Sequence, residues 1–163
     1  MRHDGDRRPS PILIRRAAAA DIETLRNFER GIVAAERPFD PTIIPGDVSY
    51  YDLPALVASD DAFVAIAESG GAPAGCGFAR RAASRAFTEP AHHAYVGLLY
   101  VAPPHRGQGT ARMIIERLSE WALENGLVEM RLEVYPENAK AVRAYGRAGF
   151  SPYMLEMRRR LKD

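Results

Sequence analysis

The stretch with the clearest chemical content is LLYVAPPHRGQGTARMIIERL, residues 98–118, in which an apolar strand-like run feeds a glycine-bearing loop that opens a helix. Gly107 and Gly109 let the backbone turn tightly and bring unhindered N–H groups toward one point, while the first helical turn leaves its own N–H donors without intrahelical partners. A concave array of such donors binds phosphate, and Arg106 adds a positive charge beside it. The lysine of a GxxxxGK(S/T) nucleoside-triphosphate loop is absent and GxGxxG does not occur in the segment, so ATP and NAD are disfavoured as its ligands. Two other residues are of types that move protons. His93 belongs to the pKa class suited to a base near neutral pH. Tyr145 lies in NAKAVRAYGRAGF, residues 138–150, one helical turn before Gly149 and Phe150. Cys76, between Gly75 and Gly77, reads as a small buried strand residue rather than a nucleophile.

These groups need a scaffold, and periodicity outlines it. Residues 12–16 form a short strand, and Ile22, Leu25, Phe28 and Ile32 recur at near-helical spacing in an amphipathic helix that ends before Pro38. Pro38, Pro41, Pro45, Gly46 and Pro54 break up residues 36–61, which read as loop and then one short helix over 53–59. The apolar run 62–67 and a strand near 76–81, joined by the Gly- and Pro-bearing segment 69–75, predict a hairpin. A strand over 93–101 leads through the loop 102–109 to a helix from 110 to about 125, stopped by Gly126. Residues 128–134 alternate as a half-buried strand. Asn138 caps a helix that carries Val142 and Tyr145 and stops at Gly149, and Tyr153, Leu155 and Met157 alternate in a last strand. The order predicts a mixed α/β fold.

Composition narrows the functional classes. With 163 residues the chain predicts a single domain over 12–163, preceded by a charged, flexible tail over 1–11. Lys and Arg total 22 against 21 Asp and Glu, and a net charge of +1 supplies no field for gripping a polyanion, so nucleic acid is not an expected partner. The tail lacks the apolar core of a secretory signal and no stretch approaches the ~20 apolar residues of a membrane span, so no membrane partner is expected. One cysteine precludes an intrachain disulfide, and no His/Cys cluster offers a zinc site. A reducing cytoplasm and metal-free chemistry are the expectation.

Arg106-Gly107-Gln108-Gly109-Thr110-Ala111 matches the pattern Arg/Gln-x-x-Gly-x-Gly/Ala, and with its flanking elements resembles the GNAT superfamily of acyl-CoA-dependent N-acetyltransferases, over roughly residues 12–160. The resemblance implies a central mixed, mostly antiparallel, twisted sheet flanked by helices on both faces. It also implies that the strands after His93 and Val128 splay to admit the pantetheine of acetyl-CoA. Leu99, Tyr100 and Val101 are then the strand end running beside pantetheine, residues 106–111 the phosphate cradle, and Asn138 the start of a second cofactor motif. The implied activity moves an acetyl group from acetyl-CoA to a primary amine of a small molecule or peptide, by direct attack in a ternary complex. Tyr145 is then placed near the cofactor sulfur, where its phenol protonates the CoA thiolate.

An amine resembling lysine, with a pKa near ~10.4, must lose a proton before it attacks. Family members often carry a Glu or His for this on the strand leading to the pantetheine contacts, and that face here carries His93, Tyr95 and Gly97. His93, Glu36 and Glu133 are the candidate bases, with Tyr95 ordering water or the amine. The adjacent His92 should point to the opposite sheet face. Glu36, Asp40, Asp47, Asp52, Asp60 and Asp61 share residues 36–61 with one basic residue, Arg37, and predict a cationic acceptor, with helix capping as the alternative use of those charges. Arg112, Arg143 and Arg147 suit CoA phosphates. Two further readings stay open: an acyl-CoA sensor or scaffold without efficient turnover, and a homodimer formed through sheet edges or helices.

Overall fold

The computed structural model describes residues 10–162, so the expected tail over 1–11 lies, through residue 9, outside the described residues. The described residues form two compact units, divided between Glu133 and Val134. The first holds a five-stranded sheet in the order β1-β2-β3-β4-β5. Its strands are β1 (Ile12–Arg16), β2 (Ala62–Ser69), β3 (Ala72–Ala83), β4 (His92–Val101) and β5 (Met130–Arg131). The first three pairings are antiparallel and β4 with β5 is parallel. Three helices, α1 (Ile22–Glu36), α2 (Leu53–Ala58) and α3 (Thr110–Glu124), cover the sheet.

The continuous apolar run of β2 has a simple cause, since both of its faces are buried. Phe63, Ala65 and Ala67 pack in one cluster with Ile114, Leu118 and Trp121 of α3. Val64 and Ile66 pack in a second with Leu25 of α1, Leu53 of α2 and Phe78 of β3. The hairpin closes more tightly than its composition predicts. Gly70 and Gly71, both at positive φ, make a two-residue turn, so β3 begins at Ala72, and a bulge between Ala67 and Glu68 accommodates Pro73, which has no N–H to donate. At the end of α3, Leu127 N–H reaches back to Ala122 O at 2.8 Å past Gly126 at φ +71°, burying Leu127 in the α3 cluster.

β4 departs from regular pairing where it matters. Gly97 pairs with Phe78 and Tyr100 with Cys76, so three steps on β4 match two on β3, and Leu98 takes φ +53°. This bulge reverses the alternation of faces. Ala94 and Val96 before it, and Leu99 and Val101 after it, pack toward the α3 cluster. Tyr95, Leu98 and Tyr100 pack toward α1 and α2. β4 also parts from β5 early, pairing only at Ala94↔Met130 and Tyr95↔Arg131.

Two expected strands come out differently. The alternation over 128–134 yields only the two residues of β5, and residues 150–162 form no regular element. Tyr153, Leu155 and Met157 stay largely exposed. Period-two patterning assigns side chains to faces but supplies no partner strand, and pairing is what makes a strand. The second unit contains one helix, α4 (Ala139–Arg147). Among the described residues no helix is long and apolar enough to cross a membrane.

Gly97 is required by packing. A Cβ there would lie 2.6 Å from Phe78 Cζ and 2.8 Å from the Tyr51 hydroxyl oxygen. Gly97→Ala is expected to cost about 1–3 kcal/mol in urea unfolding through overpacking, and a second change, Phe78→Leu, should recover part of that loss.

Candidate active site

The loop after β4 is braced by its own side chains. Arg106 donates from Nε to Val101 O at 2.8 Å, Gln108 from Nε2 to Pro104 O at 3.0 Å, and Thr110 from Oγ1 to His105 O at 3.1 Å. The Arg106 guanidinium also lies over the Tyr100 ring, 5.5 Å from its centroid. Thr110 is buried, so its hydroxyl ties the start of α3 to the loop. Gly107 and Gly109 sit at φ +73° and +82°, and nothing lies within 4 Å of where a Cβ would be on either. Their backbone is therefore strained for any other residue and open on its outer side. The first intrahelical bond of α3 is Met113 N–H to Gly109 O at 3.0 Å, which leaves the amides of Thr110, Ala111 and Arg112 without intrahelical acceptors. Open space over backbone donors at a helix N-terminus suits a phosphate-bearing ligand.

On the opposite side of the β4 bulge the structure gathers a cluster of tyrosines and carboxylates. Tyr51 lies edge-on to Phe78, with ring centroids 4.9 Å apart, and its hydroxyl rests against the Gly97–Leu98 backbone. Tyr95, on β4, donates its hydroxyl to Glu133 Oε2 at 3.3 Å and interacts with the Tyr51 hydroxyl. Burial pushes both phenols above their ordinary pKa, so each stays protonated and donates. Glu36, half-buried at the end of α1, is bonded to Tyr50 and lies within electrostatic reach of Tyr51. Burial also raises its pKa above the usual carboxylate range.

What holds these tyrosines in place is Glu29, a residue whose position on an amphipathic helix concealed its role. It is 3% exposed, and its carboxylate accepts from Tyr50 N–H at 2.8 Å, Tyr51 N–H at 3.0 Å and the Ser49 hydroxyl at 3.3 Å. A buried carboxylate with three donors pins the otherwise irregular loop to α1. The only signal in the sequence was an acidic residue one turn from Leu25 and Val33, on the same helical face.

Glu36 and His93 do not share neighbours. His93 is buried, its Nδ1 lies 3.0 Å from Ser84 Oγ, and its surrounding charges are Arg131, Glu129 and Arg80. Burial, then the nearby Arg131, hold the ring below its ordinary pKa, so it is neutral at pH 7. His92 is exposed on the other face of the strand. Cys76 is fully buried beside Leu98 O at 3.2 Å, and burial pushes its thiol far up, which fits a packing residue. Several acidic residues of 36–61 have internal partners: Asp47 pairs with Arg30 at 3.0 Å, Asp40 accepts from Thr42, Asp52 caps α2 through Ala55 N–H, and Asp61 pairs with Arg81 at 3.5 Å. In the second unit Asn138 caps α4, accepting from Ala141 N–H at 3.2 Å, and Tyr145 stacks edge-on with Phe150 at 6.1 Å.

The Acetyltransferase (GNAT) family model matches residues 28–150. An uncharacterized N-acetyltransferase, YobR, of Bacillus subtilis (strain 168) is 48% identical over 60 residues, 36% of this chain and 24% of the relative. A streptothricin acetyltransferase of Streptomyces lavendulae is 43% identical over 51 residues, 31% of this chain and 27% of the relative. The matched stretches thus span about a quarter of the length of these relatives. A predicted acetyltransferase from Clostridium acetobutylicum, solved with acetyl-CoA, superposes with a TM-score of 0.70 at 18% identity, covering 91% of this chain and 96% of that one. At that identity the likeness is one of fold.

Glu29→Ala leaves the Tyr50 and Tyr51 amides without their acceptor, while the Ser49 hydroxyl keeps Tyr51 O at 3.1 Å. It is expected to lower stability by about 1–3 kcal/mol in denaturant unfolding and to speed proteolysis within residues 37–52, whereas Glu29→Gln, which keeps an acceptor oxygen, should lose less.

Proposed function

Because the chain belongs to the acetyltransferase (GNAT) family, we propose that it transfers an acetyl group from acetyl-CoA to a primary amine of a small molecule or peptide, by direct attack within a ternary complex. The observation that carries this reading is the braced loop 106–111, with open glycine backbone and the free first-turn amides of α3, directly following a bulged strand. The family match runs across both units, which supports reading 12–163 as one acetyltransferase domain. A streptothricin acetyltransferase among the relatives supports an amine acceptor. A cytoplasmic location accords with the single, buried thiol.

The residues fit the co-substrate. Amides from Gly107 to Ala111 bind its phosphates, Arg106 and Arg112 add charge, and the β4 edge at Leu99, Tyr100 and Val101 runs beside the pantetheine arm. Asn138 contributes from the start of α4. When bound, acetyl-CoA supplies an electrophilic carbonyl and a thiolate leaving group. The chain's own groups then manage protons. Glu36, as base, takes the proton that the acceptor ammonium must lose, and Tyr51 and Tyr95 orient the amine by donating hydrogen bonds. The nitrogen bonds the carbonyl carbon and releases its second proton to solvent, the carbon–sulfur bond breaks, and Tyr145 gives its phenolic proton to the departing sulfur and regains one from solvent. Neutral His93 is the second candidate base, and its bond to Ser84 fixes its ring.

Calorimetric titration with acetyl-CoA is the direct test. Binding that weakens at least about tenfold in Gly109→Val supports the cradle, whereas no binding to folded wild type overturns the reading. Tyr145→Phe is expected to lower kcat by about 10²-fold with the affinity for acetyl-CoA unchanged. Because Glu36 acts only when ionised and its pKa is raised, kcat/KM should fall on the acid side at a pH above the ordinary carboxylate range. Glu36→Gln should abolish that limb, and a wild-type profile in this variant would transfer the role of base to His93.

A further inference from the structure

A cleft of about 460 Å³ opens beside the tyrosine cluster, lined by Tyr50, Tyr51, Asp52, Asp61, Arg80 and Arg81 among others. Its volume falls in the range of small-molecule sites. Most of its charged groups are already engaged. Asp52 caps α2, Asp61 pairs with Arg81 at 3.5 Å, and Arg81 also donates to Asn125 O at 2.8 Å. Arg80 differs. It is exposed on β3 directly across from Tyr95, its guanidinium lies 5.0 Å from the centroid of that ring, and no carboxylate among the described residues pairs with it. The one ring thus carries a cation over its face and, at its hydroxyl 3.3 Å away, the Glu133 carboxylate, with Glu36 acting on the adjacent Tyr51. The two poles thus sit at the face and at the hydroxyl end of the same ring.

We propose that the surface running from Arg80, on the cleft wall, across the Tyr95 ring to Glu133 selects an acceptor that carries a carboxylate close to its amine, a free amino acid or similar small zwitterion, with Arg80 gripping the carboxylate while the ammonium lies outside the cleft lining, toward Glu133 and Glu36. The inference rests on the acetyl-transfer reading and names its substrate class. Charge decides between acceptors. A polycation would set positive charge against Arg80, whereas a zwitterion matches both poles, and a guanidinium binds a carboxylate through two parallel N–H donors. The cation–π contact keeps the Arg80 fork over the ring, so its hydrogen-bonding edge remains available to the ligand.

The test compares free L-amino acids having aliphatic, aromatic and basic side chains with their C-terminal amides, in wild type and Arg80→Gln. Thiol release from acetyl-CoA and calorimetric binding of the amino acids to the free protein and to its CoA complex are both read, with the urea-unfolding midpoint as the control for folding. Wild type is expected to favour the acid over its amide by about ten- to hundredfold in kcat/KM, mainly through KM. Arg80→Gln should bring the ratio to about one, and Arg80→Lys should restore part of it. Equal use of acids and amides by wild type, or an undiminished preference in Arg80→Gln, overturns the inference. Acetylation of spermidine but of no amino acid also overturns it and leaves the transfer reading standing. Amino-acid binding that is lost in Arg80→Gln, in a protein that does not bind acetyl-CoA, supports the cleft and removes the transfer reading.

Discussion

The bulge at Gly97–Leu98 is the constraint on which both halves of the site depend. By adding one residue to β4 against β3, it reverses which side of the sheet each following side chain meets. Val101 can then pack toward α3 just before the loop that starts that helix, while Tyr100 faces α1. A bulky residue at φ +53° costs on the order of 1–3 kcal/mol. Leu98 is 2% exposed, so burial of its side chain offsets the strain. The thiol of Cys76 beside Leu98 O and the Tyr51 hydroxyl against the Gly97–Leu98 backbone further hold the distortion in place.

Two sites with opposite electrical character flank that bulge. Backbone amides and arginine on the loop side present positive potential without needing many charged side chains, because helix-start donors are oriented by the fold. On the tyrosine side, burial changes the behaviour of ordinary groups. It keeps the phenols protonated as donors and makes the Glu36 carboxylate a stronger base than it would be in water. Glu29 shows the complementary use of burial, since a polar group removed from solvent becomes a rigid anchor once backbone and hydroxyl donors bond it.

The acidic segment 36–61 shows how far charge counting carries. Six carboxylates against Arg37 suggested an attracting field, yet Arg30, on α1 and outside the segment, pairs with Asp47, and others cap turns or helices. Local composition omits partners that arrive from elsewhere in the fold. The same omission hid Arg80, an unexceptional strand residue until the sheet set it over Tyr95.

What the sequence determined by itself was what helical spacing and backbone punctuation govern, whereas period-two alternation over 128–134 and 153–157 did not fix strands. It placed the helices starting at Ile22, Leu53 and Thr110, the Gly70–Gly71 turn region, the Gly126 stop and the glycine loop, because helical spacing, capping and positive φ are properties of a few adjacent residues. The resemblance carried by residues 106–111 and 138–150 supplied the family. Tertiary structure alone decided the rest. The bulge at Leu98, the two-residue length of β5, the irregular backbone of 150–162, the burial of Glu29 and the separate surroundings of His93 and Glu36 all depend on contacts between residues distant in the chain. A strand's partner and a side chain's dielectric surroundings are set by what packs against them, and no local pattern encodes that neighbour.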